Sequence, residues 1–182
     1  MEKTIIGITG HSGSGKGVVA RYLEKKHSSE KINYSDTLRT IADTLFVEQS
    51  RAELDKLSKL LRSAYGEDVL GRVVHQKITT SQKQLFSLEG VRRIEDIEIL
   101  KNIGKFILIF VDAPLETRYE RVIARSENTG DTEKTLEEFV ADQKNNAQLR
   151  IDDLREEADY VIENKGTLAD MGGKIENMMQ EL

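Results

Sequence analysis

Short apolar runs alternate along this chain with longer stretches in which apolar residues recur every three or four positions. The runs at Thr4–Thr9, Lys31–Tyr34, Gln84–Leu88, Lys105–Val111 and Tyr160–Glu163 have strand length and predict five strands. Phe106-Ile107-Leu108-Ile109-Phe110-Val111 is apolar without interruption, as a parallel strand covered on both faces requires. Strands alternating with helical patterns predict an α/β fold, a five-stranded and mainly parallel sheet flanked by helices.

Several helix ends are marked in the pattern. Ser50 and Glu53 have capping-box spacing ahead of an apolar face of Leu54, Leu57 and Leu61, and Gly66 suits the end of that helix. Asp36 is placed to cap a helix that buries Leu38, Ile41 and Leu45. Pro114, the only proline, suits a first helical turn. The segment 126–135, SENTGDTEKT, is polar and Gly-containing between two helical patterns, and reads as a surface loop. No internal repeat interrupts the sequence.

Composition narrows the picture. A length of 182 residues suits one compact domain, and 32% charged with 5% aromatic residues implies a charged surface over an aliphatic core. The net charge of -5, without any basic run, argues against general nucleic-acid binding. A nucleotide substrate is unaffected by that argument, because local cations decide there. The absence of cysteine excludes disulfides, Cys-based zinc sites and thiol catalysis. The apolar runs are too short for a membrane span and no secretory h-region is visible, so the expectation is a cytoplasmic protein. His11, His27 and His75 have no metal-ligand spacing.

The chemistry concentrates in Gly10-His11-Ser12-Gly13-Ser14-Gly15-Lys16-Gly17, between the first strand and a helical pattern. Glycines let the loop turn successive backbone N–H groups inward onto phosphate oxygens, and the helix N-terminus adds its positive dipole end. Lys16 then reaches the outer phosphates as a point charge. Gly17 and Val18 follow the lysine, where a Ser or Thr hydroxyl commonly binds magnesium. The ion is therefore expected to be held by phosphates and water.

This loop resembles that of adenylate kinase and related nucleoside monophosphate kinases, which also carry Gly directly after the lysine. Those enzymes continue with Thr where this chain has Val18. The resemblance implies a single P-loop kinase domain over 1–182, with an acceptor-binding helical insert at about 35–80 and a short lid at about 126–137. It also implies ATP as phosphoryl donor, Mg²⁺ as companion ion, and a phosphate cradle formed by residues 10–18.

Ser35-Asp36-Thr37-Leu38-Arg39 is similar to the start of that family's acceptor arm, which makes Asp36 and Arg39 acceptor-side residues and Arg39 a ligand of the acceptor phosphate. Leu88-Glu89-Gly90-Val91-Arg92-Arg93 is similar to the family's strand-end pattern. There Glu89 would orient magnesium-bound water and Arg93 would grip phosphate between donor and acceptor; Arg92 has no matched role. Arg121-Val122-Ile123-Ala124-Arg125 resembles the stretch leading into the lid, with Arg121 on the donor base and Arg125 near phosphate. Spacing alone puts Arg118, Arg121 and Arg125 on one helix face, opposite a buried stripe of Leu115, Tyr119 and Val122. Asn164, Lys165 and Gly166 resemble the adenine-side loop of dephospho-CoA kinases. The short lid has Lys134 as its basic residue, leaving Arg150 and Arg155 as candidates for the arginines that larger relatives carry there. Tyr65–Asp68 matches small adenylate-kinase-like proteins of poorly defined substrate.

The implied activity is ATP-dependent phosphoryl transfer to a nucleoside monophosphate or a similar small phosphorylated acceptor, with Lys16, Arg93, Arg121 and Arg125 as the catalytic cations. One alternative is dephospho-CoA kinase, with Asp36 as the base for a hydroxyl acceptor. Another is a nucleotide-dependent switch ATPase without a small-molecule acceptor. No membrane or nucleic-acid partner is expected, and the oligomeric state is not readable from sequence.

Overall fold

The computed structural model describes residues 2–125, 131–143 and 146–182. Five strands form one sheet: β1 (Lys3–Thr9), β2 (Glu30–Asn33), β3 (Leu85–Glu89), β4 (Gly104–Asp112) and β5 (Tyr160–Glu163). Their spatial order is β2-β3-β1-β4-β5 and every neighbouring pair is parallel. The helices are α1 (Lys16–His27), α2 (Tyr34–Thr44), α3 (Arg51–Tyr65), α4 (Val69–Thr80), the one-turn α5 (Glu95–Glu98), α6 (Leu115–Arg125), α7 (Leu136–Asp142), α8 (Asn146–Glu156) and α9 (Leu168–Gln180).

Side chains alternate across the pleat, so each central strand feeds two cores. Ile5, Phe86, Leu88 and Leu108 pack with Leu38, Leu54, Leu57, Val74 and Ile78 from α2, α3 and α4. Ile6, Ile8, Ile109 and Val111 pack with Val19 and Leu23 of α1 and Met171 and Ile175 of α9. The expected three-layer arrangement of helix, sheet and helix is thus present. No helix among the described residues is long and apolar enough to cross a membrane.

The structure corrects the sequence reading at several points. Tyr34 is not the end of β2 but the first residue of α2. Asn33, not Asp36, caps that helix: its side chain accepts the Ser35 N–H at 2.9 Å, and Asp36 is exposed in the first turn. Leu45, expected inside, is 57% exposed, and Ala42 takes its place in the core. Leu45 keeps its helical bond to the Ile41 carbonyl at 3.0 Å, but residues 43–48 are all exposed, so the end of the helix carries it beyond the core. Ser50 caps α3 and Gly66 ends it with φ 100°, as expected. Pro114 stands one residue ahead of α6, where its carbonyl accepts the Arg118 N–H at 2.9 Å.

Arg118 does not share an exposed face with Arg121 and Arg125. It is buried, donating from Nε to the Ala113 carbonyl at 3.0 Å and from Nη1 to Gln143 Oε1 at 2.8 Å. Of the expected lid, residues 126–130 lie outside the described residues. Asp131–Glu133 forms a 3-10 turn, and Thr135 caps α7 reciprocally with Glu138.

Candidate active site

The loop between β1 and α1 emerges at the C-terminal edge of the sheet, where ligand crevices of open α/β folds lie. Its tight curvature depends on glycine at particular places. Gly15 has φ 104°, and a Cβ there would stand 2.2 Å from Asn164 Nδ2; at Gly13, φ 78°, it would meet the Arg118 carbonyl oxygen at 2.3 Å. Side chains are disfavoured twice over, by left-handed backbone and by lack of space. Ser14 lies fully buried within this turn, and its Oγ has no hydrogen-bond partner. An orphaned hydroxyl of that kind fits a loop built to meet a ligand's oxygens.

Lys16 folds back over the loop, with Nζ donating to the carbonyls of Gly10 at 2.7 Å and His11 at 2.9 Å. Burial lowers its pKa to about 7, Arg92 and Arg125 add to the shift, and Glu89 opposes it. The ammonium thus sits in a surplus of positive charge that an anion would relieve.

Two side chains brace the loop from beyond. Asn164, buried at the end of β5, donates from Nδ2 to the Ser14 carbonyl at 2.8 Å. Arg121 of α6 reaches the same carbonyl from Nη1 and Asn164 Oδ1 from Nη2, both at 3.5 Å. His11 Nε2 lies 2.9 Å from Asp152 Oδ1, so its ring is engaged with α8 rather than turned out to solvent. Lys165 pairs with Glu163 at 2.9 Å on the surface beside Gly166.

Glu89 ends β3 next to the first turn of α1. Its Oε1 would be 3.1 Å from a Cβ on Gly17, and its Oε2 is 3.2 Å from Lys31 Nζ. Glycine after the lysine therefore lets this carboxylate come close to the first turn of α1, where a side chain would crowd it. Among the described residues no group of three or more His, Cys, Asp or Glu could hold a metal directly.

One cavity opens from the loop and a second adjoins it. The first, about 140 Å³, is lined by Gly10, Ser12, Gly13 and Lys16 and by the cations Arg39, Arg51, Arg92 and Arg125, with Asp55 and Glu89 among them. The second, about 570 Å³, lies between α2, α3 and the turn after β3; Tyr34, Leu38 and Leu70 form its apolar wall, and Arg93 and Arg150 also line it. Ser35, Leu38, Asp55, Gly90 and Arg92 line both, so the two make one cleft.

At the far wall, Arg62 Nη2 bonds both carboxylate oxygens of Asp96, at 2.8 and 2.9 Å. Both side chains are almost wholly buried, and the Tyr34 hydroxyl donates to the Asp96 carbonyl at 2.9 Å. Burial pushes the Asp96 carboxyl pKa up and Arg62 pulls it part of the way back.

The sequence-derived residues therefore divide. Lys16, Arg39, Glu89 and Arg125 meet at the phosphate loop with residues 10–17, while Arg121 and Asn164 sit behind it. Arg39 donates to Gln49 at 3.1 Å. Arg93 lines the larger cavity and pairs with Glu67. Asp36 and Val18 line neither cavity. Arg155 is bound to Asp112 at 3.1 Å and Arg150 to Glu95 at 3.2 Å.

Sequence reasoning missed Arg51, Arg92, Asp55 and Asp96. A signal existed for the last: Leu54, Ser58 and Arg62 recur at four-residue spacing, which puts a cation on a helix face that is otherwise core and asks for a buried carboxylate.

A glycine-rich loop leading from the central strand of a five-stranded parallel sheet into a helix, with helices on both faces, defines the P-loop kinase fold. Two solved structures share it over nearly their full length. A Thermus thermophilus protein superposes with TM-score 0.65 at 24% identity, covering 100% of this chain and 99% of that one. A shikimate kinase from Bacteroides thetaiotaomicron gives TM-score 0.65 at 12% identity, covering 97% and 98%. In sequence, an AAA domain profile matches residues 9–140. A UPF0200 protein of Sulfurisphaera tokodaii is 31% identical over 179 residues, which is 98% of this chain and 97% of that one. The chain belongs to the AAA domain family and to the UPF0200 proteins.

Proposed function

We propose that this protein is an ATP-dependent phosphotransferase whose acceptor is a nucleoside monophosphate or a similar small phosphorylated molecule. The observation that carries this reading is the cleft made by the two adjoining cavities. Its narrow end joins the phosphate loop to Lys16, Arg39, Arg51, Arg92 and Arg125, and its wide end has room for a nucleoside-sized body. Phosphoryl transfer asks a protein to align two anions and neutralise the charge between them, and cations converging from both sides of the loop serve that purpose.

In this scheme the loop amides and Lys16 hold the β- and γ-phosphates of ATP. Arg121, Asn164 and the turn through Lys165 and Gly166 flank the donor nucleoside. The other arginines of the narrow end draw the acceptor phosphate into line, and Arg93 faces the body of the acceptor. Glu89, close against Gly17 at the start of α1, would hold Mg²⁺ through water, and the bound ion would neutralise the donor's phosphate oxygens.

A second reading has one specific observation in its favour. Asp55 lines both cavities, so a carboxylate stands where the base for a hydroxyl acceptor would be needed. Asp36, the base that the dephospho-CoA kinase reading first suggested, is exposed and outside the cleft.

ADP release measured with AMP, CMP, UMP, GMP, dTMP, dephospho-CoA and shikimate separates these readings. Turnover with a monophosphate is expected, and Lys16→Ala should lower kcat/KM by about 10²- to 10³-fold while the fold persists. Activity on dephospho-CoA or shikimate alone would move the assignment to a hydroxyl acceptor. ATP hydrolysis that needs no acceptor and rises with a partner protein would move it to a switch ATPase.

A further inference from the structure

Arg51 opens α3, Asp55 follows one turn later on the same face, and Arg92 stands on the turn after β3. That turn is fixed in place, because the Thr9 hydroxyl donates to the Val91 carbonyl at 2.8 Å. All three side chains line the phosphate-loop cavity, and Asp55 and Arg92 continue into the larger one. They therefore stand at the junction that a transferred phosphoryl group must cross.

The charges at this junction are poorly matched. Arg51 has no ion-pair partner among the described residues. Arg92 has one, Asp55, and the contact is loose: Nη1 lies 3.6 Å from Oδ1, with 41% of the Arg92 side chain open. The cavity's other carboxylate, Glu89, is committed to Lys31. Burial in the cleft and the nearby Arg51 both disfavour the charged form of Arg92, and Asp55 only partly offsets them.

We propose that Arg51 and Arg92 form an acceptor-side anion subsite which Asp55 occupies in the empty protein and from which an incoming phosphate displaces it. A phosphate carries more charge than one carboxylate and offers a guanidinium two oxygens at once, so it outcompetes a single long contact. Asp55 thereby sets the threshold for acceptor binding: it partly offsets the charge of Arg92 while no anion is present, at the cost of weaker affinity. This inference rests on the phosphotransferase reading for its biological meaning, but the subsite itself can be examined without turnover.

The probe is inorganic phosphate, titrated by thermal shift onto protein saturated with a non-hydrolysable ATP analogue so that the donor site is filled through its γ-phosphate position. Phosphate should raise the melting temperature of the wild type. In Asp55→Asn the half-saturating concentration should fall about three- to tenfold, as expected for losing a competitor held by one half-exposed ion pair. In Arg92→Ala it should rise at least about tenfold, with Arg92→Lys between the two as a guard against misfolding. Stabilisation by the ATP analogue alone reports that each variant is folded.

Unchanged or weaker phosphate binding in Asp55→Asn would overturn the proposal, as would wild-type binding in Arg92→Ala. With the acceptor found in the turnover panel, Asp55→Asn should lower the acceptor KM. A collapse of kcat with no gain in phosphate affinity would instead make Asp55 a base and overturn the displacement. If phosphate behaves as expected and nothing in the panel is phosphorylated, the subsite stands and the phosphotransferase reading falls.

Discussion

Lys16 is the residue whose environment says most about the site. Its ammonium is held by two backbone carbonyls, crowded by arginines, and brought to a pKa of about 7 from an ordinary 10.5. The native state therefore gives up this proton as pH rises through 7, whereas the unfolded chain keeps it until about 10.5. Between those values the unfolded state binds more protons, and this group's contribution makes stability rise with pH. Nucleotide binding has the opposite sign, because a triphosphate favours charged Lys16. Above pH 7 binding must take up a proton, so affinity falls with rising pH. Calorimetry of ADP binding at pH 8, in two buffers of different ionisation enthalpy, should show up to about one proton taken up by the wild type. Lys16→Arg, which stays charged, should show none of it.

At the scale of the element, α2 carries a sharper test of local physics. Asn33 satisfies the Ser35 N–H from the cap position, whereas Asp36 lies within the first turn, fully outside the cap. Asn33→Ala should cost about 1 kcal/mol in chemical denaturation and Asp36→Ala less than about 0.5 kcal/mol. The local sequence points the other way for a physical reason. Asn33-Tyr34 looks like the end of a strand, and what holds Tyr34 in place, core packing and its hydroxyl's bond to the Asp96 carbonyl, comes from far along the chain.

The same contrast runs through the rest of the elements. β1, β3 and β4 were legible to within a residue at each end, because a buried parallel strand needs a nearly unbroken apolar run. β5, an exposed edge strand, was legible from the short apolar core of its Tyr160-Val161-Ile162 sequence. The phosphate loop was legible because its backbone requires glycine in fixed places. Arg51, Arg92 and Asp55 were not, since an exposed arginine and one facing a cavity look alike until α3 is packed against the turn after β3. Arg118 failed for the same reason in reverse: a stripe at helical spacing does not reveal that α6 is wedged under Gly13.

For the whole molecule, the Arg62–Asp96 pair joins parts that share no local sequence. It ties α3 to α5, and through the Asp96 carbonyl it also holds Tyr34 of α2, so the wall of the larger cavity depends on one buried contact. Asp96→Ala should destabilise the protein by about 3–5 kcal/mol in urea denaturation, because it leaves the buried Arg62 guanidinium without its counter-charge, with the Ser58 hydroxyl and the Glu67 carbonyl left to accept from it. The double replacement of Arg62→Met with Asp96→Leu should cost much less than Asp96→Ala, since it removes both charges and keeps apolar volume. The same double variant would nonetheless reshape the cavity, so weaker acceptor turnover despite restored stability is expected.

The strand order also governs how the chain reaches this state. Thr4 of the central strand pairs with Leu85 on one side and Lys105 on the other, and no two neighbouring strands are joined by a tight turn. The phosphate loop hangs from that central strand, so its shape cannot settle until distant segments have closed around β1. Loop-closure entropy must be overcome before those pairings reward it, which makes folding slower than for a helical bundle of similar size. On a ribosome, β1 leaves the exit tunnel well before either of its partners exists, and through that interval Ile5, Ile6 and Ile8 have no sheet to enter. A nascent chain of this protein therefore depends on whatever shields those isoleucines until β4 has been made.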